Sequence, residues 1–564
     1  GCGWCFAHSR APEVGRMIVA FDYASPSVLD SSRDHALLGI SANARRPVRF
    51  HGRITRNVPL LRFTLRALGE AIWSNDIWET QGDLMRWILD PVITVHPDRV
   101  FFEAFSQDQS VYAMVIANPE MFATDGEVVT GTTNVDFTAW LWGALNELRS
   151  SRETWLRVGA EGFEVKTKGS GGRFEQKVEL PDTWVRGFLQ VTGAMAMPGT
   201  RLTVRPADLL SAIRFLRYTK AKVSPRALRY EFTPGEDARI VLEPWEETIR
   251  LRGAEHNYTE PKVTRTWGRR RLNLIEPLLP FATSVDIYLK GRGLPSFYVV
   301  KMPDLTFVLG LSGWSSQSWT DSGSFDLLSD TTSAGEDLIA PVHQVLSNSF
   351  HATPKQIAAT LNQTPEAVWR ACERLCRQGR AIFDVESRGF RHRELFEQPI
   401  DEAKFFPPDE RTERANALLA KNAVPFVRCE PAENRKVRRL RNPATGEMME
   451  REVIYRDWRV SGTVGSEKTE IVVGDPARII FGTCSCAFFQ ENLLGKGPCE
   501  HMIALFKASA DERKDLPTST AAAEGTRVQS RKAIEDEEEN DDEDESNDEE
   551  DFDGNESDEN NEAR

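Results

Sequence analysis

Within sixteen residues near the end of the chain stand three of its eight cysteines, Cys484, Cys486 and Cys499, and His501 follows two residues later. The pattern is C-x-C, twelve intervening residues, then C-x-H. It constrains the fold more tightly than any other feature. Thiolate and imidazole are the donors Zn²⁺ favours, and three cysteines with one histidine complete its tetrahedral shell. The flanking residues predict the elements that bring the two pairs together. Ile471–Val473, Gly474-Asp475 and Ala477–Phe481 read as strand, turn and strand, with the first pair at the hairpin's end. Gly497-Pro498 sets a turn, and Cys499 and His501 open a helix whose Ile503, Leu505 and Phe506 face inward. The alternative is a chance cluster of buried thiols. A shell closed by four protein ligands has no place for an activating water, so the expectation is one structural Zn²⁺.

This pattern, with its preceding hairpin and trailing apolar helix, resembles the SWIM zinc finger, and most closely that of bacterial SWIM zinc finger family proteins. GLSGW at Gly310–Trp314 and EPWE at Glu243–Glu246 add a softer likeness to that bacterial group. The resemblance implies a small treble-like finger with Cys484, Cys486, Cys499 and His501 as ligands. It implies binding to DNA or protein, not a reaction. Some bacterial relatives are encoded beside MoxR-type AAA+ ATPases and von Willebrand A proteins, which implies a second role as a scaffold in an ATPase-associated complex. Many of those relatives carry the finger early in the chain, whereas here it lies late.

Charge is distributed unevenly. The formal net charge is −15, yet residues 535–564 hold 19 acids and one base, so residues 1–534 sum to +3. That acidic segment has almost no apolar residues with which to offset the entropy of ordering, and is expected to be disordered. It could also fold back on basic modules as a nucleic-acid mimic; the plainer alternative is a solubilising tail. Eight cysteines in 564 residues are too few for a disulfide scaffold, which points to a reducing, cytoplasmic setting. No stretch approaches the roughly 18–20 apolar residues of a membrane span, and GCGWCFAHSR has no signal-peptide pattern.

The fold class expected is α+β, in several domains. Residues 1–325 mix helical and strand patterns. Val58–Ile72, Phe137–Leu148, Pro206–Leu216 and Leu272–Phe281 have helical apolar spacing. Each precedes a hairpin pattern, at Val100–Ile116, Gly162–Leu180, Leu228–Leu251 and Val285–Leu309. A repeated strand–helix–hairpin unit follows from this order, and Leu202–Leu251 resembles the repeated unit of bacterial sliding clamps. The alternative is an unrelated pair of α+β domains.

Residues 335–397 read as three short helices and a hairpin, a winged-helix-like module. Asp337–Phe350 is the first helix, Pro354–Leu361 the second after a Thr353 cap, and the third follows Thr364 and Pro365 to Arg377. Arg370, Arg374 and Arg377 share the face a recognition helix would turn to DNA, and Arg388, Arg391 and Arg393 lie in the wing. A solvated face balanced by Glu366 and Glu373 is the alternative. Cys372 and Cys376 fall on the packing face. Residues 398–450 read as a connector ending in a basic run that includes Arg435, Lys436, Arg438 and Arg439. The finger follows at 451–508, and 509–564 is linker and acidic tail. A further basic cluster, Arg269–Arg271, suits phosphate or a surface loop equally.

Catalytic patterns are missing from the sequence: no P-loop, nucleophile elbow or H-E-x-x-H occurs. Cys2-Gly3-Trp4-Cys5 with His8 has no strand before it to make a redox motif and lacks a fourth metal ligand. The expectation is therefore a zinc-holding, non-enzymatic protein whose partner is nucleic acid, most simply DNA, or alternatively a protein complex.

Overall fold

The computed structural model describes residues 16–74, 91–160, 174–223, 226–291, 293–313, 319, 336–396, 400, 409–441, 448–474 and 478–513. The Cys2/Cys5/His8 group, residues 162–173 of the expected Gly162–Leu180 hairpin and the acidic segment lie outside these residues.

Long unbroken apolar runs form strands covered on both faces. Val100–Phe105 and Val111–Ala117 are buried at every position, as is Leu305–Leu311. They lie inside an eight-stranded sheet ordered 200–204, 284–289, 296–302, 305–311, 111–117, 100–105, 92–95, 131–134. Every neighbouring pair in it is antiparallel, and its two four-stranded halves meet where Val308 opposes Met114. Helices Val58–Trp73 and Pro206–Tyr218 cover one face. Helix Asp182–Ala196 and residues beyond 335 cover the other. A five-stranded sheet (28–31, 35–41, 153–159, 50–54, 122–124) flanks this body.

The helices at 58 and 206 begin where the periodicity places them, each with a proline in its first turn. Leu272–Phe281 is different: it forms two 3₁₀ turns, Arg269–Leu274 and Glu276–Phe281. Pro277 and Pro280 remove the N–H donors an α-helix would need there. Of the hairpin expected over 162–180 only 174–180 is described, and there Phe174–Pro181 pairs with Arg16–Tyr23. The apolar spacing did not single out helix 182–196, whose Val185, Phe188, Leu189, Val191 and Met195 are all buried.

Residues 336–396 follow the expected order. Helices Glu336–Ser349, Pro354–Leu361 and Pro365–Arg377 precede a hairpin of Ala381–Asp384 with Gly389–His392, joined by His351–Ala352. Thr353 and Gln356 form a capping box, and the Thr364 hydroxyl accepts from the Ala367 amide. This module is packed into the body. Its third helix lies against helix 182–196, with Cys372 and Cys376 buried as expected and their thiols pushed up by burial.

Arg393 and Glu103, neither of them exposed, make an ion pair of 2.7 Å across this junction. Tyr112 donates to the same Glu103 oxygen at 2.8 Å. Arg391 pairs with Asp384 and Asp98, each at 2.8 Å. Tyr288 donates to the Val385 carbonyl at 2.8 Å.

The expected connector is ordered where described. Helix Glu410–Ala420 packs against the last helix, and Val427–Arg441 is a fifteen-residue edge strand. It pairs with Met448–Val464, which is followed by Glu467–Gly474 and Arg478–Cys484 in one antiparallel sheet. The basic run is therefore part of the finger's own sheet. Pro431 is tolerated because this strand is at the edge.

Candidate metal centre

The last strand of this sheet ends on Cys484. Two residues later Cys486 caps helix Ala487–Asn492, its sulfur accepting from the Phe489 amide at 3.4 Å. The chain returns through a loop in which Gly497 adopts φ +82°, a left-handed conformation that favours glycine just before Pro498. Cys499 then caps helix Glu500–Ala508, which puts His501 on its first turn. Both caps place sulfur at a helix N-terminus, where the dipole favours thiolate.

That helix buries Met502, Ile503, Leu505 and Phe506 against the sheet and helix 410–420. Contact is close: a Cβ at Gly482 would stand 3.0–3.1 Å from the end of the Met502 side chain. Apolar packing thus sets the distance between the two ligand pairs.

The four ligand atoms lie within 4.8 Å of one another. The Cys484 thiol is held down at about 3 by the hydrogen bond from Cys499, with His501 and Thr469 assisting. Cys499 is pushed up because its proton serves that bond. His501 is raised by its bond to Cys484. The Thr469 hydroxyl lies 3.4 Å from the Cys484 sulfur, a support behind the ligand. The buried Nδ1 of His501 has no hydrogen-bond partner. Three sulfurs and a half-buried imidazole whose buried Nδ1 is unsatisfied are a donor set that fits Zn²⁺.

Two supports were invisible in the sequence. Arg411, buried on helix 410–420, donates to the carbonyls of Lys496 at 2.7 Å and Pro498 at 3.1 Å, fixing the loop that delivers Cys499. Arg478, on the ligand strand, forms a buried ion pair with Glu373 of the third module helix. Sequence separations of about 85 and 105 residues leave no local signal for either.

The other predicted residues are dispersed. Arg388 is exposed in the turn of the hairpin with φ +55°, and Arg370 is half-buried. Arg374 and Arg377 are half-buried with partners inside the protein. Arg391 and Arg393 are buried and committed to the ion pairs above. Arg435, Lys436, Arg438 and Arg439 lie on the edge strand of the finger sheet. Arg269 and Arg271 are buried: the first donates to the Glu243 carbonyl, and the second pairs with Asp108.

A second grouping, His343, His392 and Glu394, has metal-ligand atom types. Arg380 supplies its cation, donating from Nε to Glu394 at 3.3 Å, with Nη2 3.1 Å from His343 Nδ1. Among the described residues no helix is long and apolar enough to cross a membrane.

The fold and donor set define a Cys₃His cluster of the kind that suits zinc, within a larger α+β chain. Residues 470–510 match the SWIM zinc finger, and this segment is a finger of that type. No curated protein matches the chain. Among solved structures, the chain is similar to the proliferating cellular nuclear antigen of Entamoeba histolytica at 10% identity. That match covers 46% of this chain and 97% of the other, with a TM-score of 0.30, too low to define a shared fold.

Proposed function

We propose that this is a zinc-dependent nucleic-acid-binding protein, DNA being the simplest partner, and not an enzyme. One observation carries the reading: the basic run Arg435–Arg441 is an edge strand of the same sheet that ends on Cys484. One structural Zn²⁺, held by Cys484, Cys486, Cys499 and His501, locks that sheet to the last helix and so presents the basic strand. Thiolate ligands suit a reducing compartment such as the cytoplasm.

Residues 335–397 are read here as a winged-helix-type brace, supported by their order of elements. The burial of Arg391 and Arg393 leaves Arg388 as its most exposed cation of the predicted set. The test is fluorescence anisotropy with duplex and single-stranded DNA over a salt series, with and without chelator. Binding that weakens with salt and is lost on chelation is expected. Absent or salt-insensitive binding would refute the reading.

A protein scaffold, with an AAA+ ATPase among its partners, is the second reading. It is favoured by two exposed aromatics, Tyr218 at 80% and Trp140 at 63%. Affinity purification yielding a stoichiometric protein and no nucleic acid would select it.

A further inference from the structure

Helix Pro206–Tyr218 buries Leu209, Ala212 and Ile213 in the body. The helical period then turns Ser211, Arg214 and Tyr218 outward, three and four residues apart, with Arg217 beside them. All four are exposed, and so are Lys220 and Lys222 just beyond the helix end. Residues 209–222 therefore carry four bases and no acid.

The 3₁₀ turn Glu276–Phe281 packs against this helix. Between them lies an open groove of about 460 Å³, lined by Arg214 and Arg217 from the helix and by Asn273, Glu276, Pro277 and Pro280. Glu276 reaches both guanidiniums, Arg217 at 3.0 Å and Arg214 at 3.7 Å. One carboxylate thus orients two cations and neutralises only one of them. Each guanidinium has five N–H donors, so the pair keeps donors for a further acceptor. An exposed aromatic adjoins each wall: Tyr218 follows Arg217, and Phe281 follows Pro280. Stacking on Phe63, with ring centroids 5.1 Å apart, holds Phe281 in place.

We propose that this groove and the helix end beside it bind single-stranded nucleic acid, with Arg214, Arg217, Lys220 and Lys222 on phosphates and Tyr218 stacked on a base. Charge complementarity selects a polyanion. The aromatic rings select a single strand, because its bases offer their faces whereas a duplex keeps them inside its stack. The inference rests on the nucleic-acid reading above and adds to it a surface that prefers unpaired strands. The competing occupant is an acidic protein segment, held by the cations alone.

The test uses the full, zinc-loaded chain with a 20-nucleotide single strand and a 20-base-pair duplex, anisotropy being measured across a salt series. Tyr218→Ala should weaken single-strand binding roughly tenfold, about the worth of one stacked base, and leave duplex affinity within about twofold of the parent. Tyr218→Phe keeps the ring and should bind the single strand as the parent does. Arg214→Gln/Arg217→Gln should shrink the single-strand log–log salt slope by about 1.4, at about 0.7 per phosphate contact. Lys220→Gln/Lys222→Gln should shrink it equally without disturbing Glu276, which guards against misfolding in the arginine pair. Single-strand affinity unmoved by Tyr218→Ala, equal losses on both DNAs, or an unchanged slope in both cation pairs overturns the proposal while leaving nucleic-acid binding intact. A parent chain that binds neither DNA refutes the underlying reading instead.

Discussion

Replacing Arg393 with methionine should loosen the braced module far more than the loss of one contact implies. Arg393 and Glu103 are both fully buried, 2.7 Å apart, and Tyr112 is the other group bonded to the carboxylate. Removing the guanidinium leaves a charge that only one hydroxyl solvates. Breaking such a pair from one side costs about 3–5 kcal/mol, because the remaining charge stays buried. Burial already raises the Glu103 carboxyl above its usual value, opposed by Arg393. In Arg393→Met that opposition is gone, so the carboxyl rises further. A raised carboxyl contributes stability below its unfolded value and loses it as pH climbs through the folded value. The variant should therefore be less destabilised at pH 5 than at pH 8. Adding Glu103→Gln removes the stranded charge and keeps an acceptor for Tyr112, so the double variant should recover most of the loss. Urea unfolding followed by tryptophan fluorescence at both pH values reads all three. A single variant within about 1 kcal/mol of the parent, or a double variant worse than both singles combined, would refute the argument.

Cys499→Ser, or a strong chelator, should release zinc and unfold the finger, with metal content and near-UV circular dichroism falling together; structural zinc is worth about 10–16 kcal/mol in comparable peptides. Gly482→Val should cost about 1–3 kcal/mol by displacing the end of the Met502 side chain and crowding the Glu470 carbonyl, seen as weaker zinc retention in competition with a chromophoric chelator. Arg411→Ala should leave all four ligands in place yet raise the zinc dissociation rate, because the loop before Cys499 loses two carbonyl anchors. Removing residues 535–564 should raise non-specific DNA affinity at low salt if that polyanion competes with phosphate; unchanged affinity would mark it as a solubilising tail.

The features legible in the amino-acid sequence are local ones. The metal ligands can be read because four rare donor side chains sit within eighteen residues, and the turns and caps around them are encoded next to them. The helices at 58, 206, 354 and 365 can be read from proline, capping residues and apolar period. Helix 182–196 carries neither a proline in its first turn nor a capping pair of that kind, and its partners are supplied by distant segments.

The arginines show the same division. From the sequence, Arg370, Arg374, Arg377, Arg388, Arg391 and Arg393 are equivalent charged positions on a helix and a wing. In the fold they separate into an exposed turn, half-buried sites and buried ion pairs whose acids, Asp98 and Glu103, lie almost 300 residues upstream. The basic run changed its meaning in the opposite sense, from connector to strand, because pairing with residues 448–462 places it in the finger's sheet.

Sequence alone determined that this protein holds a closed Cys₃His centre, since donor chemistry and spacing are local properties. Only tertiary structure decided which cations are free to meet a partner. A guanidinium's role depends on which carboxylate folding brings within about 3 Å, and chain distance carries no record of that.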